Sequence, residues 1–418
     1  MLKYENLNIA LIMLSRKLLE EGIIRESDER EFKCKEIYSP VLICIENPSD
    51  RYITIPERSW AKNLAFAEAL WIAAGCNHME LVNAYSKQMK EYSDDQVSMR
   101  AAYGPRIRAF SGFSSDYAIS DPAHRNVISG TGVTVDQLKF VVESFKRDIN
   151  TRQAEITIHD PAKDDFNQDG TLKKTKDTPC CRTLNFIVRD GKLDVTLDIR
   201  SNDLFWGLSA VNVFNFTFMQ EYVANLIGVP VGKYYHFVKN LHFYTGTIES
   251  IQLFAAQNPD DYKSKFGKWQ YPNENPMSFE EWDKEVTKLF RFEQALRETG
   301  EVPNVEFINP LFTDWSRIFL NRWDKSGRYY TFMNPYLNKL FKFDMKLKVN
   351  NLVPEKVNYI RQEFANAECV AVDQGSKVFY QTKIDTTVKQ YIAKIEMNGQ
   401  KGRYMGKTDD NCHLNFKN

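Results

Sequence analysis

The sequence predicts an α/β or α+β protein built on a mixed sheet, and three observations carry that expectation. Apolar residues recur at helical spacing in several separate stretches, two runs of period two flank an Asp-Gly turn, and a long apolar helix stands between that pair and a further strand. In chain order, residues 8–21 and 60–74 have helical spacing, as do 135–145, where Leu138, Val141, Val142 and Phe145 line one face. Residues 154–159 read as a strand, and 182–190 with 192–200 as a hairpin about Asp190-Gly191. In its second strand Leu193, Val195, Leu197 and Ile199 alternate with Asp194, Thr196, Asp198 and Arg200, which gives one buried and one polar face. Residues 211–227 follow as a buried helix ended by Gly228 and Pro230, and 235–244 as one more strand.

From residue 273 the character changes. Residues 279–297 form a charged amphipathic helix, 303–336 are rich in aromatics and asparagine, and the chain from 346 is polar with short β-like pieces such as 377–382. A boundary near residue 300 is expected, leaving 301–418 as an extension.

Composition narrows the partners. The 418 residues are 43% hydrophobic and 26% charged, enough for a large core and more than one unit. Lys plus Arg equals Asp plus Glu, 55 against 55, so no global field recruits nucleic acid or an anionic membrane, and any anion must be held locally. No apolar run approaches the roughly 20 residues that span a bilayer, and the start, MLKYENLNIA, lacks the features of a signal peptide. The expected compartment is the cytoplasm. Seven cysteines, odd in number and irregular in spacing, argue for reduced thiols, and without a CxxC no metal site is expected.

One stretch stands out: DTPCCRTLNF, from Asp177 to Phe186, with two adjacent cysteines at the mouth of a strand. Neighbouring side chains on a strand point to opposite faces, so Cys180 and Cys181 do not share one task. A thiol there is most simply a core residue. Its neighbourhood says more, because RSNDLFWG begins at Arg200, and the antiparallel pairing brings that end of the hairpin beside Cys180. A guanidinium and the Ser201 hydroxyl then lie close to the thiol, suited to a phosphate and favouring thiolate.

TPC with RSND twenty residues on, VNVFNF, and HFVKNLHFY stand in this order, preceded by EALW around Glu68 and AAYGPRIR around Tyr103. In these motifs, over roughly residues 25–250, the sequence resembles the thymidylate synthases and the deoxynucleotide hydroxymethylases, and is closest in wording to their phage-type branch. The resemblance implies a thymidylate synthase-like three-layer fold on a mixed sheet in residues 1–300, with 301–418 as a C-terminal extension. It implies that Cys180 is the nucleophile adding to carbon 6 of a pyrimidine nucleotide. Arg200 and Ser201 are implied as phosphate ligands, joined by Arg30 and by Arg152 reaching across a homodimer interface. Asn212 resembles the amide that reads the pyrimidine edge, although an extra residue stands between it and Gly207. His242 and Tyr244 resemble the pair holding the sugar 3′-hydroxyl, Glu68 and Tyr103 the groups that organise water and relay protons, and Asp203 the carboxylate that binds the pterin of 5,10-methylenetetrahydrofolate.

These residue types suit the chemistry. Carbon 5 of uracil is a poor nucleophile, and a transient thioether at carbon 6 divides one hard substitution into easier steps. A carboxyl buried near Trp71 is expected to titrate close to neutrality, which fits Glu68. The electrophile decides the product. The synthases exclude water partly with a tryptophan in the segment after Glu68, and residues 75–93 contain none. Hydroxymethylation of deoxyuridylate is therefore the leading expectation, ahead of reductive methylation. Gln153 where a second arginine is common, Cys181 where histidine is usual and Ser209 where proline is usual motivate a further alternative, a nucleotide-binding sensor or scaffold without turnover.

Overall fold

The computed structural model describes residues 1–27, 32–111, 117, 119–123, 134–273, 276–324, 330–342, 349–350, 367–373, 377–382, 390–397 and 400–407. The chain divides into two compact units, Met1–Phe290 and Arg291–Asn418. The first opens with β1 (Leu2–Tyr4), α1 (Leu7–Glu21), β2 (Ile23–Ser27), β3 (Phe32–Glu36), β4 (Val41–Ile45), α2 (Lys62–Ala74), α3 (Glu80–Tyr85) and α4 (Tyr103–Arg108). Next come β5 (Phe110–Ser111), β6 (Thr134–Val135), α5 (Gln137–Arg147), β7 (Glu155–Thr157), α6 (Pro161–Asp164), β8 (Cys181–Arg189), β9 (Lys192–Ile199) and β10 (Asn202–Asp203). A π-helix (Leu204–Asn212) leads into α7 (Val213–Ile227), followed by β11 (Val231–Val238), β12 (Leu241–Tyr244), α8 (Ile248–Ala255) and α9 (Phe279–Thr299). The class is α/β on mixed sheets, as expected.

The main sheet has six strands in the order β1-β4-β11-β9-β8-β7, with parallel pairs β1/β4 and β9/β11 and the rest antiparallel. Its centre is the expected hairpin. Asp190 and Gly191 both take positive φ, 49° and 67°, the twist a two-residue turn needs to match its strands. Leu184 and Phe186 of β8, Leu193, Val195, Leu197 and Ile199 of β9, and Tyr234, His236 and Val238 of β11 are all buried. This row packs on α7, which is buried nearly all round, each aliphatic side chain contributing roughly 1.5–3 kcal/mol. The other row, with Thr183, Asn185, Ile187, Thr196, Tyr235 and Phe237, stays half-exposed.

A second sheet, β10-β12-β3-β2, leans against the end of the first. Here the structure corrects the reading of 235–244 as one strand. The polar pair Lys239-Asn240 ends β11, and the chain enters the second sheet at Leu241. The crossing is held by Lys239 N donating to Ile199 O at 3.0 Å and Asn202 N donating to Asn240 O at 2.9 Å. The helix expected at 211–227 likewise begins only at Val213, because the preceding turns are π-helical.

In the second unit, α10 (Pro310–Trp323) is capped by Asn309 with proline at its first turn, and α11 (Pro335–Lys342) follows. The Asp314 carboxylate accepts from Met333 N and Asn334 N, both at 2.9 Å. Beyond these, β13 (Val349–Asn350), β14 (Ala367–Asp373) and β15 (Lys377–Thr382) form one sheet, and β16 (Gln390–Met397) pairs with β17 (Gln400–Lys407). No helix among the described residues is long and apolar enough to cross a membrane.

Candidate active site

Cys180 sits just before β8, half-exposed, while Cys181 opens the strand and is completely buried. The alternation of a strand thus gives one thiol to the cleft and the other to the core. Arg200 follows β9 directly. Its main-chain N donates to Cys180 O at 2.9 Å and its Nε donates to Pro179 O at 3.1 Å. Among the described residues no carboxylate pairs with Arg200 and nothing hydrogen-bonds its terminal nitrogens, so the cation stands next to the thiol with its fork unspent.

The loop before Cys180 is fastened to the segment that leads into α4. The Asp177 carboxylate accepts from Arg100 N at 2.7 Å and Ala101 N at 2.8 Å, and Arg100 Nη2 donates to Asp177 O. Arg106 grips Asp164 with two N–H groups at 2.7 and 2.8 Å, and Arg100 adds a third contact at 3.2 Å. Burial disfavours the Asp164 anion, yet these guanidinium groups hold its pKa below the ordinary carboxylate range. The network fixes Tyr103, at the start of α4, relative to the cysteine pair.

Tyr103 lies close enough to Cys181 and Cys180 for their charges to act on its phenol. Burial, followed by the nearby charges of Cys181 and Cys180, pushes its phenol well above the usual range, and burial does the same to Cys181. Glu68 lies on α2 and is buried. Asn215 Nδ2 donates to Glu68 Oε1 at 2.9 Å. Burial raises the Glu68 carboxyl from 4.5 to about 7, against the pull of that hydrogen bond. The Trp71 indole turns away and donates to His78 O at 2.9 Å.

Across the cleft, parallel pairing of β10 with β12 sets Asp203 opposite His242, and the rings of His242 and Tyr244 meet edge to face at 5.2 Å. Asp203 Oδ1 accepts from Trp206 N and caps the π-helix, while among the described residues its Oδ2 and His242 Nδ1, both buried, have no hydrogen-bond partner. Burial raises the Asp203 carboxyl, opposed by the Trp206 N–H and the His242 charge, and burial lowers the His242 imidazole. Burial raises the Tyr244 phenol, followed by the charges of Asp203 and Cys180. Ser201 Oγ donates to Asn240 Oδ1 at 3.2 Å, and Asn240 Nδ2 to Glu36 Oε2 at 2.5 Å.

Asn212 closes the π-helix. The extra residue between Gly207 and Asn212 falls inside this wider coil, the usual way a helix absorbs a single insertion. Among the described residues nothing hydrogen-bonds the Asn212 carboxamide, whose Nδ2 lies 3.3 Å from the point a methyl group on Gly207 would occupy.

One expected residue does not join this cluster within one chain. Arg152 is exposed on the loop before β7, and the pairing of Glu155 with Asn185 and Thr157 with Thr183 carries it toward the Arg189 end of β8, away from Cys180. Arg30 lies outside the described residues. Conversely, Asn215 and Asn240 belong to the quoted motifs VNVFNF and HFVKNLHFY but were assigned no role from the sequence. Arg58, which donates to Phe205 O at 2.8 Å and Ser209 Oγ at 3.2 Å, was missed as well. Across 151 positions it meets the serine that stands where proline is usual, a contact with no local signal.

The family model for thymidylate synthase matches residues 14–289. Curated relatives include the deoxyuridylate hydroxymethyltransferase of Bacillus phage SP01, 34% identical over 264 residues that make up 62% of this chain and 63% of that protein. Two further proteins of that description are similar. The one from Pseudomonas phage M6 is 28% identical over 68% of this chain and 75% of its own length, and that from Delftia phage PhiW-14 is 27% identical over 55% and 56%. With its matched segment holding the whole cleft from Glu68 to Tyr244, the chain belongs to the thymidylate synthase family.

Proposed function

We propose that the chain transfers a one-carbon unit from 5,10-methylenetetrahydrofolate to carbon 5 of deoxyuridylate and leaves it as a hydroxymethyl group, through a covalent adduct on Cys180. The observation that carries this reading is the half-exposed Cys180 thiol with the unpaired Arg200 guanidinium tied to its backbone, a nucleophile beside an anion site. The names of the three phage relatives support the substrate and the product.

In this reading Arg200 and Ser201 hold the phosphate, with Arg30 and a second subunit's Arg152 completing its shell. The Cys180 thiolate forms a bond to carbon 6 while the ring π pair moves onto oxygen 4, where the Asn212 amide donates. Carbon 5, now electron-rich, bonds to the one-carbon unit and gives up its proton as tetrahydrofolate leaves; water then adds to the resulting exocyclic methylene with loss of a proton, and the thiolate leaves carbon 6 as the ring double bond returns. Glu68, poised at about 7, takes and returns protons through water, with Tyr103 in the relay. His242 and Tyr244 hold the sugar. The unpartnered Asp203 Oδ2 fits the N–H edge of a pterin, which would bring the donors that this oxygen lacks. When bound, the folate supplies a one-carbon unit at the oxidation level of formaldehyde.

Water, and not hydride, completes the product because residues 75–93 bring no tryptophan to the cleft. The segment carries instead the half-exposed Tyr92, whose phenol is raised by partial burial, then by the Glu91 charge and then by that of Asp203. The half-exposed row of the main sheet supports a homodimer through that face, with Arg152 at its edge. Incubation with deoxyuridylate and methylenetetrahydrofolate should give a nucleotide heavier by one formaldehyde unit. A methylated nucleotide with dihydrofolate identifies a synthase instead, and fluorodeoxyuridylate that binds without modifying Cys180 identifies a sensor.

A further inference from the structure

Asn202 is buried, 2% exposed, on β10, and its Oδ1 has no hydrogen-bond partner among the described residues. A methyl group added to Gly207 would lie 3.2 Å from Asn202 Nδ2, 3.3 Å from Asn202 Oδ1 and 3.3 Å from Asn212 Nδ2. The two carboxamides therefore share one bare Cα, each within van der Waals reach of the same point. A side chain at position 207 would separate them. The main chain of Asn202 is fixed by its donation to Asn240 O at 2.9 Å, so the free acceptor does not drift with its strand.

An unsatisfied buried acceptor is costly, and the Asn212 Nδ2 amide borders the same point above Gly207 as Asn202 Oδ1. A carboxamide by itself is ambidextrous. Donor toward oxygen 4 and acceptor toward the N3–H reads uracil, whereas the same amide turned by half a rotation offers acceptor and donor to the amino group and bare N3 of cytosine. Whatever takes up one N–H of the amide removes this freedom.

We infer that Asn202 is a specificity-determining residue: its Oδ1 accepts one N–H of Asn212 when the nucleotide is seated, which leaves the second N–H and Oδ1 of Asn212 in the order that fits uracil and rejects cytosine. Asn202 touches no reacting atom in this scheme and acts through Asn212. The inference rests on the proposed deoxyuridylate activity and deepens it.

The test compares deoxyuridylate with deoxycytidylate, following loss of the carbon 5 hydrogen, in the wild type, Asn202→Leu and Asn202→Asp. The leucine variant keeps the volume without an acceptor, and the aspartate variant keeps the acceptor. The preference in kcat/KM for deoxyuridylate should drop about tenfold or more in Asn202→Leu, mainly through KM, and persist in Asn202→Asp. If the leucine variant does not fold, Asn202→Ala takes its place. An unchanged preference in the acceptor-free variant overturns the assignment of Asn202. A wild type that turns over neither nucleotide overturns instead the activity on which the inference stands.

Discussion

The main-chain N–H of Arg200 donates to the carbonyl oxygen of Cys180 at 2.9 Å, which locks the end of one strand of the hairpin to the beginning of the other. A cation and a thiol twenty positions apart are thereby neighbours by backbone geometry, before any side-chain contact forms.

Cys180→Ser should retain the fold, since the thiol is half-exposed and makes no core contact that serine cannot match, and should lower turnover by about a thousandfold or more. Mass spectrometry after incubation with fluorodeoxyuridylate and folate should find the adduct on wild type and none on the variant.

Glu68 predicts a linked pair of pH effects. Its carboxyl is raised from 4.5 to about 7, so the protonated form is the one the fold prefers. The stability it contributes is present below about pH 4.5 and lost as pH climbs through about 7. Glu68→Gln should unfold at a temperature less sensitive to pH over that window and be the more stable protein above it, while turnover drops by roughly a hundredfold. Parallel melts and rate profiles check both.

The clamp on the cysteine loop is tested through Asp177. Asp177→Ala strands two buried N–H groups, those of Arg100 and Ala101, and should cost about 2–4 kcal/mol in urea unfolding. Because the same carboxylate aligns the Cys180 loop with α4, the rate of adduct formation should fall even under conditions where the variant is folded.

Asp164 behaves in the opposite sense to Glu68. Its pKa is depressed, so its contribution is complete above the ordinary value of 3.8 and disappears as pH falls through the lower native one. Asp164→Asn should cost roughly 3–5 kcal/mol at neutral pH by leaving Arg106 buried and uncompensated, and the deficit should shrink in strong acid.

Subunit mixing examines Arg152. Cys180→Ser and Arg152→Ala should each be nearly inactive alone. If Arg152 serves the neighbouring subunit, refolding the two together should restore activity, since one site of the mixed dimer then has both groups. Strict absence of recovery shows that Arg152 does not serve the neighbouring subunit, and an active Arg152→Ala places it outside the site.

What could be read in the chain beforehand was local. Asp190-Gly191 announced its turn, Gly228 and Pro230 announced the end of a helix, and the Cys180–Arg200 proximity followed from hairpin arithmetic. The break between β11 and β12 had only the dipeptide Lys239-Asn240 as its sign, and the apolar run Val41–Ile45 of β4 carries no alternation from which to choose a strand. The partners of the site residues were hidden for another reason. Asn215 meets Glu68 across 147 positions and Asn240 meets Glu36 across 204, and no periodicity reports contacts of that kind.

The wide coil from Leu204 to Asn212 has a consequence for how such a cleft can change. In an ordinary helix one added residue would swing everything downstream by about 100° and carry the Asn212 amide out of the cleft. Because the surplus is swallowed within two turns, the strand before it and the helix after it keep their bearings, and removing one residue between Gly207 and Asn212 should tighten the coil without turning the amide away.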